Sequence, residues 1–190
     1  GGTGNDSFIG GAGIDTLDDS AATGNLTVNL ASGTSSDSNN STVTGLGNDV
    51  ISGVENLITG TGNDRVTGSG DANLIQSGAG NDIVAGGAGS DTLEGGAGND
   101  TLDYTANTSG QGIVVDLSAG TANDGLGGSD SFSSFESVSG GSGTDSITGD
   151  AGSNLLSGNT GNDTLDGGAG NDTLSGGNDQ DVILGGSGND

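Results

Sequence analysis

The sequence predicts an all-β fold, a right-handed parallel β-roll (β-solenoid) of stacked coils of about 18 residues. The first observation is a nine-residue pattern, Gly-Gly-x-Gly-x-Asp-x-apolar-x, which opens the chain at Gly1–Ile9 and recurs at Gly10–Asp18. Five further copies of its first six positions begin at Gly86, Gly95, Gly140, Gly167 and Gly185. The second observation is the composition: 44 of 190 residues are Gly and only 2% are aromatic. Such a chain cannot build an ordinary two-layer core.

Each nine-residue step divides into a Gly-rich turn of six residues and a strand of three, whose middle side chain points inward. Two steps complete one coil, with one turn on each side. The residues predicted to point inward are all apolar: Phe8, Leu17, Ile51, Val66, Ile75, Val84, Leu93, Leu102, Phe132, Ile147, Leu156, Leu165, Leu174 and Ile183. This thin ladder buries too little apolar surface to offset the backbone entropy, so we expect metal binding to contribute to folding.

The acidic residues follow the same rhythm, which a disordered chain does not require. With a spacing of 18, Asp64, Asp82 and Asp100 are predicted to form one column, and Asp145, Asp163 and Asp181 to form another. An ion between two stacked turns would take a carboxylate from each turn and carbonyl oxygens from the glycines. The candidate carboxylate ligands are Asp6, Asp15, Asp49, Asp64, Asp82, Asp91, Asp100, Asp130, Asp145, Asp163, Asp172, Asp181 and Asp190.

The ligand types identify calcium (Ca2+), in several copies, as the expected metal. The formal net charge is −25, Arg65 is the single basic residue, and there is no Cys or His. Zinc and copper prefer sulfur and imidazole ligands, whereas calcium accepts six to eight oxygens in flexible geometry. The same charge would repel nucleic acid, and no apolar run is long enough to insert into a membrane.

The nine-residue steps are grouped into a larger sequence repeat. The segment Val50–Leu57 resembles Ser131–Val138 at an offset of 81 residues, and Leu26–Thr34 resembles Ile113–Thr121 at an offset of 87. We predict one continuous solenoid over residues 1–190, interrupted at about 19–46 and 104–125. These interruptions are expected to be coils with longer strands and an extended loop, and Ser32–Ser41 is expected to be the most flexible segment.

These motifs resemble those of the RTX (repeats-in-toxin) proteins, whose glycine-rich nonapeptides form a calcium-loaded β-roll. The resemblance implies that the chain is exported by a type I system, unfolded inside the cell and folded by calcium outside it. It implies carboxylate ligands at Asp15, Asp91, Asp100, Asp145 and Asp172. It also implies carbonyl donors at Gly87, Gly89, Gly96, Gly98, Gly168 and Gly170.

Three positions depart from the motif. Asn73 and Asn154 replace its final Asp, so calcium beside them should bind more weakly, and Asp179 replaces the fourth Gly, which puts the turn at 176–181 in doubt. Glu55 and Glu136 are interpreted as solvated strand-edge residues, with metal ligation as the alternative.

Other side chains are weighed in the same way. Arg65 is expected at the surface, where it could pair with a carboxylate. Tyr104, Phe132 and Phe135 are expected to pack at coil irregularities rather than bind sugar. A Thr-rich ice-binding face is disfavoured, because most motif copies carry Ala or Ser where Thr would be needed.

The sequence favours a structural calcium-binding module over an enzyme, since His, Cys and Lys, the usual bases and nucleophiles, are absent. We expect an extracellular or cell-surface location and a piece of a longer protein. One interpretation is a surface assembly (an adhesin stalk, surface layer or filament) that contacts copies of itself or a cell-surface component. The alternative is the folding and secretion module of a toxin or hydrolase whose catalytic domain lies elsewhere.

Overall fold

The chain alternates between two ten-stranded sheets, as seen in a computed structural model that describes residues 4–37, 47–108 and 110–190. Sheet one contains, in spatial order, β1 (Ser7–Ile9), β5 (Asp49–Ser52), β4 (Thr34–Asp37), β3 (Leu26–Asn29), β7 (Arg65–Thr67), β9 (Ile83–Ala85), β11 (Thr101–Asp103), β15 (Ser137–Ser139), β17 (Leu155–Thr160) and β19 (Thr173–Asn178). Sheet two contains β2 (Thr16–Asp18), β6 (Asn56–Ile58), β8 (Leu74–Gln76), β10 (Thr92–Glu94), β14 (Ser129–Ser133), β13 (Thr121–Asn123), β12 (Val114–Asp116), β16 (Ser146–Thr148), β18 (Thr164–Asp166) and β20 (Val182–Leu184).

The regular parts have the predicted coil length. Arg65 on β7 pairs in parallel with Ile83 on β9, and Thr164 on β18 pairs in parallel with Val182 on β20, so one coil takes 18 residues. The described residues contain strands and turns but no helix, and therefore none that could cross a membrane. The predicted all-β roll with parallel stacked strands is confirmed, while its right hand stays a prediction.

The core is the predicted aliphatic ladder between the two sheets. Eleven of the fourteen predicted inward residues are buried, and Phe8 and Leu174 are partly buried against the same cluster. The exception is Ile183, which is 48% exposed, because β20 is the last strand of sheet two and has a neighbour on one side only. The sequence interpretation missed Leu57 and Val138, which lie fully inside at 0% and 1% exposure.

The two interruptions contain antiparallel strands, which the sequence did not predict. Each forms an antiparallel strand that lies inside a sheet: β4 between β3 and β5, and β13 between β12 and β14. Each antiparallel pair is joined by a tight turn that contains a glycine with positive φ: Gly33 at +70° in the first and Gly120 at +66° in the second. At each of these glycines a side chain would meet the backbone carbonyl of the neighbouring strand, at Ile51 or Phe132. Part of the predicted flexible segment, at 38–41, lies outside the described residues.

The two hairpins lie in opposite sheets. The first, β3–β4, belongs to sheet one and the second, β12–β13, belongs to sheet two. The two copies of the larger repeat are separated by an odd number of crossings between the sheets, so β6 lies in sheet two and the related β15 lies in sheet one. Equivalent residues of the two repeats therefore lie on opposite sides of the roll.

The aromatic residues and the single basic residue occupy structural positions. Tyr104, Phe132 and Phe135 are buried, and the two Phe rings meet edge to face with centroids 6.0 Å apart, so the prediction that they pack inside is confirmed. Arg65 is 53% exposed and pairs with Asp103 at 2.7 Å on the outer surface of sheet one. The only cationic side chain thus pairs with a carboxylate that is not at a motif position.

Candidate metal-binding turns

The Gly-rich turns stack into two columns along the roll. The first turn column contains the turns that lead into sheet one, and the second turn column contains those that lead into sheet two. The residues at the sixth motif position in the first column are Asp6, Asp49, Asp64, Asp82, Asp100, Glu136, Asn154, Asp172 and Asp190. In the second column they are Asp15, Glu55, Asn73, Asp91, Asp130, Asp145, Asp163 and Asp181.

One oxygen of most motif carboxylates accepts a hydrogen bond from the preceding coil. The backbone N–H of Asp64 donates to Oδ1 of Asp82 at 2.7 Å, and that of Asp82 donates to Oδ1 of Asp100 at 2.8 Å. The second column repeats the contact from Asp145 to Asp163, at 2.9 Å. The carboxylates predicted to form columns are therefore brought together, one coil apart, by their own backbone.

A second ladder runs in the opposite direction at the fifth motif position. The N–H of Asn81 donates to Oδ1 of Asn63 at 2.8 Å, and the N–H of Asn99 donates to Oδ1 of Asn81 at 3.0 Å. These amides are exposed and neutral, unlike the buried carboxylates beside them. The fifth position thus fastens neighbouring turns without adding charge, a role that sequence reasoning did not assign.

The second oxygen of most carboxylates is buried and has no hydrogen-bond partner. Among the described residues this holds for Oδ2 of Asp6, Asp15, Asp64, Asp82, Asp91, Asp100, Asp124, Asp163 and Asp172. Of these nine, all except Asp124 are predicted ligands. An anionic oxygen without a partner is costly to bury, so each one marks a place for a positive group.

The remaining predicted carboxylates are held differently. Oδ2 of Asp49 accepts the Ser35 hydroxyl at 3.3 Å, and Oδ2 of Asp145 accepts the N–H of Gly141 at 3.0 Å. Oδ2 of Asp130 accepts the Tyr104 hydroxyl at 3.4 Å. Asp181 is half-buried and Asp190 is exposed, since both lie in the last coil. These residues keep their places in the columns, but their oxygens are less isolated than those in the middle of the roll.

Glycines shape the space around the carboxylates. At Gly167, the first position of its motif, an added methyl group would lie 2.6 Å from Oδ2 of Asp172. A methyl group at Gly188 would overlap the carbonyl oxygen of Gly170 in the preceding turn, so that carbonyl faces along the column. The six glycines predicted as carbonyl donors all have positive φ: Gly87, Gly89, Gly96, Gly98, Gly168 and Gly170.

Burial and mutual repulsion make the metal-free carboxylates hard to ionise. Burial, followed by the charges of Asp64 and Asp100, raises the pKa of Asp82 to about 6. Burial, followed by the charges of Asp130 and Asp124, raises the pKa of Asp91 to about 6. Burial also raises the pKa values of five other carboxyls: Asp19, Asp64, Asp100, Asp130 and Asp163.

The turns fit an ion that takes oxygen from both side chains and backbone. Among the described residues no three acidic side chains are placed to bind a metal by themselves. Any ion in the turns would therefore combine the free Oδ2 atoms with glycine carbonyls. This mixed oxygen set suits calcium, whose coordination is flexible, better than magnesium, which requires near-ideal octahedral geometry.

Glu55 and Glu136 are not solvated strand-edge residues, contrary to the preferred interpretation. Oε2 of Glu55 accepts the backbone N–H of Asp15, and Oε2 of Glu136 accepts that of Asp100, both at 2.9 Å. Each Glu thus takes the place of a motif Asp in its column. The signal was its spacing, because Glu55 lies two residues before buried Leu57, as Asp64 does before Val66.

Asn73 and Asn154 close their turns with their own amides. Nδ2 of Asn73 donates to the carbonyl of Glu55 at 2.7 Å, and Nδ2 of Asn154 donates to that of Glu136 at 3.2 Å. In both cases Oδ1 accepts a backbone N–H four residues earlier. In these two turns an amide N–H donor therefore occupies the position at which a cation would contact oxygen atoms.

The turn at 176–181 forms despite its departure from the motif. Asp179 takes φ +78°, a left-handed conformation that the fourth motif glycine also adopts. The ladder continues through it, because the N–H of Asp163 donates to Oδ1 of Asp181 at 3.0 Å. The substitution therefore leaves the turn in place.

Comparison with protein families gives one match. A model described as the RTX calcium-binding nonapeptide repeat matches residues 1–21, 52–84, 76–106, 139–174 and 157–190. Together these ranges cover more than half of the chain, and they leave out both hairpins. No curated protein matches the chain.

Proposed function

The chain belongs to the RTX family of calcium-binding nonapeptide-repeat proteins, and from this premise we propose that calcium completes the fold by occupying the two turn columns. Repeats of this family bind calcium and occur in secreted proteins, so the chain is a calcium-binding repeat module. The proposal adds which residues hold the ions and when folding occurs.

The observation that carries the proposal is the set of buried Oδ2 atoms without partners. Oδ1 of Asp82 is used by the Asp64 N–H, which leaves Oδ2 free to bind an ion. Calcium supplies positive charge that offsets the burial and mutual repulsion of such carboxylates. The proposed carboxylate ligands are the thirteen Asp residues predicted from the sequence, with carbonyl oxygens from Gly87, Gly89, Gly96, Gly98, Gly168 and Gly170.

The neutral Asn residues support the same proposal by contrast. Where Asn73 and Asn154 replace Asp, no side-chain oxygen is left without a partner. Each column thus combines acidic turns with one neutral turn that satisfies itself, at Asn154 in the first column and at Asn73 in the second. We propose weaker calcium binding beside both Asn residues.

We further propose that residues 1–190 act as one continuous solenoid in an extracellular assembly, such as an adhesin stalk, a surface layer or a filament. The two related units and the unbroken strand pairing in each sheet support a load-bearing role over a catalytic one. Copies of the protein or a cell-surface component would be its partners, and type I secretion its route. The alternative is the folding and secretion module of an exported toxin or hydrolase.

Far-UV circular dichroism during a calcium titration, with magnesium as the control, tests the proposed folding role. We expect a cooperative transition from coil to β structure that calcium produces and magnesium does not. The reason is that −25 charges oppose compaction until a cation neutralises them. A full β signal in the presence of chelator would contradict the proposal and make calcium an accessory.

The calcium midpoint should depend on pH. Because the pKa of Asp82 is about 6 in the metal-free fold and 3.8 is its ordinary value, that fold binds protons more tightly than the unfolded chain does. Protonation of Asp82 therefore contributes to the free energy of unfolding of the metal-free form. This contribution grows as pH falls from about 6 towards 3.8, and it is lost as pH rises through 6.

Protons and calcium compete for the same oxygens. Because calcium folds a chain whose unfolded carboxyls have the ordinary pKa of 3.8, we expect the calcium midpoint to rise as pH falls towards this value. Calorimetry in buffers of different ionisation enthalpy would also detect proton release on binding at this pH. In the Asp82→Asn variant the proton release should decrease. A midpoint that stays constant from about pH 7.5 down to about 4 would show that the buried carboxyls are not ligands.

A further inference from the structure

The second hairpin carries one buried carboxylate that no nine-residue motif contains. Asp124 follows β13 and is 0% exposed. Its Oδ1 accepts the backbone N–H groups of Leu126, Gly127 and Gly128 at 2.8 to 3.0 Å. Because three donors fix this carboxylate, its other oxygen is held in one orientation, and that oxygen is buried without a partner.

The free oxygen of Asp124 borders the neighbouring turn of the second column. A methyl group at Gly128 would lie 2.6 Å from Oδ2 of Asp124 and would overlap the carbonyl oxygen of Gly89. The same turn ends at Asp91, whose Oδ2 is also buried and without a partner. The hairpin thus brings a second fixed anion to a turn that already holds one.

Two other contacts hold this arrangement together. The N–H of Asp91 donates to Oδ1 of Asp130 at 3.0 Å, which stacks the hairpin exit on the turn. Nδ2 of Asn107 donates to the backbone carbonyl of Asp124 at 2.6 Å, which ties the hairpin to the segment before it. Each of these contacts involves atoms other than the two free Oδ2 oxygens, so both oxygens stay available.

We propose that Asp124, Asp91 and the Gly89 carbonyl oxygen form a calcium site that fastens the second hairpin to the roll. This inference rests on the proposed role of the turns and adds a ligand from outside the repeats. Two carboxylates with free buried oxygens and a backbone carbonyl are ligands that a hard divalent cation prefers. The Gly89 carbonyl is an essential ligand of the proposed site, because among the described residues no group of acidic side chains forms a metal site without backbone oxygens.

The competing explanation is that Asp124 only caps a tight turn. Asp124→Asn separates the two roles, because the amide oxygen can still accept the three backbone N–H groups while the free anionic oxygen is lost. Asp116→Asn is the matched control, since Oδ1 of Asp116 caps the turn between β12 and β13 by accepting the Ala119 N–H at 3.0 Å, while Asp116 has no buried oxygen without a partner. Circular dichroism in excess calcium checks that both variants fold.

Tyr104 provides a local reporter. It is the only Tyr, the chain has no Trp, and its hydroxyl donates to Oδ2 of Asp130 at 3.4 Å. A tyrosine ring transfers excitation energy to a terbium ion (Tb3+) bound nearby, and terbium occupies calcium sites. Emission excited through Tyr104 in the full chain therefore reports on the proposed site more than on distant turns.

We expect tyrosine-sensitised terbium emission that calcium displaces. Asp124→Asn should raise the terbium concentration at half-maximal emission by at least about tenfold, and Asp116→Asn should leave it unchanged. Tyr104→Phe should abolish the emission while the calcium stoichiometry from equilibrium dialysis stays the same. If Asp124→Asn does not fold, Asp91→Asn provides the same test from the other carboxylate, with the same expected shift.

An unchanged terbium titration in folded Asp124→Asn, beside a normal calcium-induced β transition, would show that Asp124 is only a turn cap. Emission that persists in Tyr104→Phe would also overturn the assignment. Failure of the wild-type chain to respond to calcium at all would instead overturn the proposed function, so the two failures are distinguishable.

Discussion

Leu93→Asp is expected to prevent folding of the coils around β10 even in saturating calcium. Leu93 is 1% exposed and lies between Ile75 on β8 and Phe132 on β14. Loss of the leucine packing alone costs about 2 to 5 kcal/mol. An unpaired carboxylate in the same place adds a further desolvation penalty of several kcal/mol, because no ion pair offsets it there. Calcium at the proposed turn sites would not reach this position.

Amide hydrogen exchange of the calcium-loaded protein would measure this effect strand by strand. Protection should be lost in β8, β10 and β14, which are neighbours in sheet two. Thr92→Asp is the matched control, because it adds the same charge one residue away on the exposed side of β10 and should keep protection near the wild-type level. Equal protection in both variants would show that the inward ladder does not support the fold.

The repeat predicts the regular coils well because one period fixes two properties at once. An 18-residue coil places Leu93 beside Ile75 in the core and, in the same step, places Asp91 beside Asn73 in the turns. The spacing of apolar and acidic residues therefore predicts both the inward ladder and the columns. Nothing beyond the sequence pattern is needed where coils have equal length.

The period fails where the chain inserts a hairpin. The contact from Asp100 to Glu136 spans 36 residues and that from Asp15 to Glu55 spans 40, and in each case the coil contains residues that the motif does not describe. Counting in nines from Asp15 misses Glu55, whereas counting back by nine from Asp64 and Asp145 reaches Glu55 and Glu136. The replacement of Asp by Glu hides this signal, so both residues resemble ordinary polar side chains. Their roles follow from long-range strand pairing, which sets the partner of each coil independently of sequence distance.

Asp124 could not be found from spacing for a related reason. The sequence around it, Asn123-Asp124-Gly125, is typical of an ordinary turn, and its Oδ1 does cap one. What distinguishes it is full burial beside the Gly89 carbonyl, which arises only when β13 pairs antiparallel with β14. Its environment is a property of the packed hairpin and not of the local sequence.

The second large effect is expected at Asp82, which lies in the middle of the first turn column. Asp82→Asn keeps an acceptor for the Asp64 N–H but removes the free anionic oxygen, so the calcium midpoint should rise by at least about tenfold. Asp82→Ala loses both, and the Asp64 N–H, buried in the wild type, would have no acceptor, at an additional cost of about 1 to 3 kcal/mol in the free energy of unfolding.

Asn81→Ala separates the loss of a ligand from the loss of a ladder contact. It removes the exposed acceptor of the Asn99 N–H but no carboxylate, so its calcium midpoint should stay close to that of the wild type. Equilibrium dialysis and calorimetry on the three variants would order them Asn81→Ala, Asp82→Asn and Asp82→Ala by increasing defect. Because Asp82 stacks between Asp64 and Asp100, its loss should weaken the sites on both sides. Unchanged stoichiometry and affinity in Asp82→Asn would mean that the first column holds its coils by hydrogen bonds alone.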